Sequence, residues 1–269
     1  MIAPLQITFD CVDAHAQARF WSSTLGYEIE DHHDLVQQML DTGQATRDDV
    51  VERDGRLAWR EAAACRAADG TRLLFMVVPE PKTAKNRMHL DVHVPDVGAA
   101  VGHVRRLGAS IDEGDERLVG RSPGGLSFRL VGHGGVDTSA PSQWPGGHTS
   151  LVDQISVDIP LEHWEIESAF WAALTGWETQ TLPGLAEYAF LIRPPGAPLR
   201  IILQKLGEPT GTVRAHIDWA VSDRAAETER HVIAGARVLQ VNPIWTVLDG
   251  VVTYCVTDRD PATGLHYAK

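Results

Sequence analysis

The chain repeats itself, and this constrains its fold more than any other feature. FWSSTLGYE (Phe20 to Glu28) recurs as FWAALTGWE (Phe170 to Glu178). Each follows a short alternating stretch, QITFD (Gln6 to Asp10) or QISVD (Gln154 to Asp158). A second echo lies inside each half. MHLDVHV (Met88 to Val94) runs into a segment ending RRLGA (Arg105 to Ala109), and AHIDWAV (Ala215 to Val221) into one ending IAGAR (Ile233 to Arg237). Four strand-then-helix starts therefore open at Gln6, His89, Gln154 and His216. Short strand-like runs follow each: LLFMVV, LSFRLV, LRIIL and VVTYCV. Such self-similarity predicts one supersecondary unit used repeatedly. The helices carrying the Phe–Trp pairs should stop at Gly26 and Gly176, because glycine readily takes the left-handed conformation that ends a helix.

Side chains alternate across a strand. That puts Ile7 and Phe9, Leu90 and Val92, Ile155 and Val157, and Ile217 and Trp219 on apolar faces meant for the helices. The opposite faces carry Gln6 and Asp10, His89 and Asp91, Gln154 and Asp158, and His216 and Asp218. Gln or His at the head of all four faces reads as a lined cleft rather than a solvated surface. Phe20, Trp21, Phe170 and Trp171 are expected to be buried against the sheets, with Trp177 and Trp219 also in the core. Trp164 and Trp245 are candidates for the wall of the second cleft.

GHGGVDTSAPSQWPGGHTS (Gly132 to Ser150) is rich in glycine, proline and serine and reads as a linker. The expected organisation is a first domain over 1–132, a linker over 133–150 and a second domain over 151–269. An extra helical segment and polar turn, about 34–59, is inserted in the first. That insert reads as a lid, a packing element or a dimer element, so a homodimer is one expected assembly.

Composition narrows the function classes. With 43% apolar and 22% charged residues, the chain has the balance of a soluble globular protein. A net charge of −12 leaves no basic surplus for nucleic acid or an anionic membrane. No secretory leader or membrane-spanning run is read from the sequence. Cys11, Cys65 and Cys255 are too few and too scattered for a disulfide framework, so the expected home is the reducing cytoplasm and their expected role is core packing. No phosphate loop, dinucleotide fingerprint or nucleophile elbow is present. Lys82, Lys85 and Arg87 precede a cleft strand, where they could steer an anion or simply face solvent.

The stretch VPEPKTAKNRMHLDVHVPD (Val78 to Asp96) and its echo LGEPTGTVRAHIDWAVSD (Leu206 to Asp223) resemble the vicinal oxygen chelate superfamily, in particular an actinobacterial glyoxalase-like group. The superfamily includes glyoxalase I, extradiol dioxygenases and bleomycin-resistance proteins. The resemblance implies an α+β fold: tandem glyoxalase-like domains, four βαβββ modules paired into two cupped mixed sheets. It also implies that Gln6 and His89 meet across one cup, and Gln154 and His216 across the other. These are positions where relatives bind a divalent metal such as zinc, nickel or iron, here through His89, His216 and a displaced His266.

The chain departs from the family where metal-dependent members supply carboxylates. SPGGLSFRL (Ser122 to Leu130) puts Arg129 at the acidic position, and DPATGLHYAK (Asp260 to Lys269) puts Ala268 near it. An uncompensated Arg129 would repel a cation and favour an anion. Asp91 and Asp218 are candidates for a missing ligand or for structural ion pairs. The expected ligand-binding set is Gln6, His89, Asp91, Arg129, Gln154, His216 and Asp218. Three readings follow: a small-molecule-binding protein with degenerate metal sites; a metal-dependent lyase, isomerase or dioxygenase acting on a small oxygenated or thiol-conjugated substrate; or a structural or regulatory module with a degenerate cup.

Overall fold

A computed structural model describes residues 5–67, 72–78, 88–112, 118–132, 141–194, 197, 199–250 and 252–266, with backbone alone at 5 and 6. The first half runs β1 (Leu5–Cys11), α1 (Ala14–Leu25), β2 (Glu28–Ile29), α2 (His33–Asp41), β3 (Val50–Arg53), β4 (Arg56–Trp59), β5 (Ala62–Arg66), β6 (Arg72–Val77), β7 (Met88–Val94), α3 (Val97–Arg106), β8 (Ser110–Ile111), β9 (Val119–Arg121) and β10 (Ser127–Gly132). After β11 (Ser142–Gln143), the second half repeats this order. It runs β12 (Thr149–Ile159), α4 (Trp164–Thr175), β13 (Glu178–Gln180), β14 (Tyr188–Ile192), β15 (Arg200–Lys205), β16 (Arg214–Val221), α5 (Arg224–Ile233), β17 (Arg237–Val241), β18 (Trp245–Asp249) and β19 (Thr253–Asp258).

Each half is one mixed sheet. The orders are β2-β5-β6-β1-β7-β10-β9-β8 and β13-β14-β15-β12-β16-β19-β18-β17. In both, the opening strand of a module pairs in parallel with that module's last strand, and the two opening strands pair antiparallel at the centre. The sequence patterns explain the elements. Asp13, Asp96 and Asp223 cap α1, α3 and α5 by accepting from backbone N–H groups three residues on. Gly26 (φ 70°) and Gly176 (φ 68°) close α1 and α4 in the left-handed conformation, as expected.

The two halves share one core. Trp21 on α1 stacks on Phe9 of its own sheet at 5.9 Å and on Trp219 of the second sheet at 5.2 Å. Reciprocally, Phe170 and Trp171 on α4 pack against Phe128 of the first sheet, at 5.8 and 6.5 Å. Trp21, Phe170 and Trp171 are fully buried, whereas Phe20 is only half-buried, at the edge of the cluster. Polar contacts lock the same interface. The buried carboxylate of Glu167 accepts from Gly124 N (2.7 Å), and Gly124 O accepts from Val213 N (2.9 Å). A Cβ on Gly124 would run into Val213, so only glycine lets the halves approach this closely. Burial raises the Glu167 carboxyl, against the bonds from Ser122, Gly124 and Trp171.

Two features differ from the sequence expectation. Residues 141–150, read as linker, form β11 and the start of β12. Trp144 lies under the Arg230 guanidinium, which also donates to carbonyls of Ser23 and Thr24 at the end of α1. The insert is α2 followed by the β3–β4 hairpin, tied down where His33 Nδ1 accepts from Leu57 N (2.9 Å) and where the His15 ring bonds Trp59 O (2.9 Å).

A polar-floored cavity in the second sheet

In each cup the central antiparallel pair sets the geometry. β1 and β7 place Gln6 opposite Asp91 and Thr8 opposite His89. β12 and β16 place Gln154 opposite Asp218 and Ser156 opposite His216. The expected Gln–His encounter therefore does not occur in register: the two residues are offset by two along neighbouring strands, and each faces another partner. Gln154 also lies mid-strand, because β12 begins five residues earlier and carries a register shift between Val152 and Gln154.

Instead, each His is bonded to the Asp that ends the repeated QITFD or QISVD stretch. His89 Nε2 meets Asp10 Oδ2 at 2.7 Å, and His216 Nδ1 meets Asp158 Oδ2 at 3.0 Å. Asp91, fully buried, accepts from Thr8 Oγ1 (2.9 Å) and from Arg129 through Nε (2.7 Å) and Nη2 (2.5 Å). Arg129 stands opposite Asp91 in register and is compensated by it. The expectation of an uncompensated positive charge there is corrected by this bidentate pair. The Gln6 side chain and the residues Lys82, Lys85, Arg87 and Ala268 lie outside the described residues.

The second cup holds a cavity of about 400 Å³. Its floor is polar: Gln154, Asp158, His216, Asp218, Cys255, Thr257 and Arg259. Its walls are apolar and aromatic, with Tyr188, Phe190 and Trp245 from β14 and β18 and Leu185, Leu206 and Ile244 at the rim. Trp245 lines the cavity, as anticipated; Trp164 lies instead beneath Lys205. His266 reaches the mouth, its Nδ1 on Asp258 O at 3.2 Å.

Four of the floor residues form one network around Asp218. Asp218 accepts from Gln154 Nε2 (3.0 Å) and Thr257 Oγ1 (2.6 Å), with Arg259 Nη2 at 3.6 Å. Arg259 also grips Asp153 through both terminal nitrogens (2.7 and 2.8 Å), and Arg200 bridges Asp153 to Gly264 O. Burial raises the Asp218 carboxyl, against the pull of Arg259 and Thr257. Burial alone would push the His216 ring down, but Asp158 and the Cys255 sulfur hold it up at about 10.

Asp10, Asp158, Cys255 and Arg259 were not among the expected site residues. The signal was available in YCVTDR, whose alternation puts Tyr254 and Val256 in the core and Cys255, Thr257 and Arg259 on the other face. The register corrects one alignment: Arg129 pairs with Asp91, and the residue in the same place opposite Asp218 is Cys255, not Ala268.

These residues do not make a metal centre as they stand. A catalytic ion needs about three protein ligands and an open position. Here Gln154 donates to Asp218, Asp218 carries Thr257 and Arg259, and His216, held at Nδ1 by Asp158, has only its other ring nitrogen to offer. Among the described residues no group of three His, Cys, Asp or Glu is placed to hold a metal ion. In the first cup His89 is tied to Asp10, and Asp91 to Arg129.

Comparison with known proteins agrees with this architecture. Solved structures similar to the chain include the Mn(II)-bound glyoxalase from Novosphingobium aromaticivorans (TM-score 0.60, 15% identity, covering 99% of this chain and 86% of that one). A second is a mutant of 4-hydroxymandelate synthase from Streptomyces coelicolor (0.57, 12%, 98% and 94%). A third is 2,2',3-trihydroxybiphenyl 1,2-dioxygenase from Sphingomonas wittichii strain RW1 (0.54, 14%, 96% and 90%). At these identities the likeness is one of fold. No curated protein matches the chain by sequence. The profile of the glyoxalase-like domain matches twice, over residues 6–131 and 154–262, one match per sheet. Two such domains, each a pair of βαβββ modules around a cupped sheet, place this chain in the glyoxalase-like domain family of the vicinal oxygen chelate superfamily.

Proposed function

We propose that this protein binds a small, largely apolar molecule of one ring in its second cup, through hydrogen bonds and aromatic contacts and without a resident metal. One observation carries this reading: a cavity of about 400 Å³ with aromatic walls and a hydrogen-bonded polar floor, which is the size and chemistry of a small-molecule site. The acids and cations of its floor neutralise one another in pairs, so a neutral ligand with one polar group, such as a phenol, suits it better than a multiply charged one. The three free thiols fit a reducing cytoplasm.

Titration calorimetry with phenol in the presence of EDTA tests the reading. It predicts saturable binding with a dissociation constant below about 1 mM, near −4 kcal/mol, weakened at least about tenfold by Phe190→Ala through lost wall contacts. Binding seen only after zinc, nickel, iron or manganese is restored would favour the metal-dependent lyase, isomerase or dioxygenase reading instead.

A further inference from the structure

We propose that Cys255 is a nucleophile that captures α,β-unsaturated carbonyl compounds in the second cup, with His216 as its proton partner and Asp158 positioning the ring. This rests on reading the cup as a small-molecule site. Three neighbouring strands supply the constellation. Asp158 stands on β12, His216 beside it on β16, and Cys255 on β19, where the register sets it against Asp218, two residues along from His216 on the same face. All three line the cavity. Asp158 takes His216 Nδ1, and Cys255, one strand over from His216, lines the same cavity beside it. This is the arrangement of nucleophile, base and orienting acid that activates thiols generally.

Cys255 is also set apart from the other two cysteines. Cys11 and Cys65 are buried in the first half, and burial pushes both thiols up to about 12. Cys255 is half-buried and faces the cavity. Nor does the floor need it for cohesion, since Asp218 is already bonded to Gln154, Thr257 and Arg259. In the first cup the same register position holds Arg129, bonded to Asp91. The second repeat thus has a soft, compact nucleophile where the first has a structural cation.

The chemistry balances without a further reactant. The thiol of Cys255 and the ring of His216 share one proton. A sulfur lone pair forms the S–C bond at the ligand's β-carbon, and the C=C π pair moves to the enolate. The shared proton then passes from the His216 nitrogen not held by Asp158 to that enolate. The product is a thioether beside a neutral imidazole still bonded to Asp158. The other ionisable groups around the ring are Asp218 beside it on β16, Arg259 beyond β19, Glu187 just before β14, Tyr188 on β14, and His266 at the mouth.

Intact-protein mass spectrometry of the full chain with iodoacetamide and with 2-cyclohexen-1-one tests this. Cys11 and Cys65 serve as internal controls. One adduct should form, on Cys255, about tenfold or more faster than on glutathione at pH 6. His216→Gln should bring the rate back to that of the free thiol. Asp158→Asn should move the alkaline fall of enone capture to lower pH, an effect that a merely structural role would not produce. Cys255→Ser should lose the adduct. A wild-type Cys255 that is inert, or that reacts at the free-thiol rate with no dependence on His216, would overturn the proposal whatever the variants do. Cyclohexanone, which has no electrophilic alkene, separates this from the binding reading. If it protects Cys255 from iodoacetamide while the enone forms no adduct, capture is wrong and binding stands. If neither compound protects or reacts, both are wrong.

Discussion

Replacing Trp21 with alanine tests whether the two halves are one folding unit. Trp21 is fully buried and touches Phe9 of the first sheet as well as Trp219 and Tyr254 of the second, at 5.9, 5.2 and 5.4 Å. A buried tryptophan removes roughly 150–250 Å² from water, worth about 4–6 kcal/mol at 25 cal/mol/Å² as an upper bound. Measured truncations of large core aromatics run at about 3–5 kcal/mol, so a loss of about 4 kcal/mol is expected. If all 269 residues unfold together, the unfolding entropy is about 0.56 kcal/mol/K and the melting temperature falls by about 7 °C. Calorimetry should show one transition in wild type and variant, moved as a whole. Two separable transitions of which only one moves, or a loss under about 1 kcal/mol, would refute the shared core.

Further outcomes follow from the buried polar groups. In NMR titrations the His216 ring should stay protonated through neutral pH and lose its proton near 10; because the folded value is raised, the stability it contributes is complete below the ring's ordinary 6.5 and is lost as pH rises through about 10. A ring that titrates near 6.5 would contradict the Asp158 contact. Glu227, fully buried, accepts from His148, His231 and Arg230, and the bonds from His231 and Arg230 outweigh burial to hold its carboxyl well below the usual range. Glu227→Gln should therefore cost about 3 kcal/mol in denaturant unfolding at pH 7, and the gap to wild type should narrow as pH falls below 4.5, the ordinary glutamate value. Gly124→Ala should cost about 1–3 kcal/mol through the clash with Val213; a neutral result would mean that the halves sit further apart there.

Much of the fold was legible because repetition and alternation are local signals. The Gly26 and Gly176 stops, the four opening strands and the apolar faces of Phe9, Leu90, Ile155 and Trp219 all follow from residues close together in the chain. The site was less legible because it depends on register. Nothing local says that an antiparallel pair sets Gln154 against Asp218 rather than His216, or that Arg129 finds Asp91 on the next strand. Cys255 was read as core because free cysteines usually are, although its neighbours Tyr254 and Val256 already claimed that face. The interface around Arg230, Trp144 and the end of α1 joins residues more than 200 positions apart, beyond the reach of any pattern within one segment.

The central claim is that the second cup is a ligand site, and the indole N–H signals of the eight tryptophans test it most directly. In a ¹⁵N-labelled sample with EDTA, titrated with phenol, the Trp245 signal, assigned with Trp245→Phe, should shift and saturate. The signals of the fully buried Trp21, Trp171 and Trp219 should stay in place. A Trp245 signal that does not move, or moves no more than those three, would contradict the account.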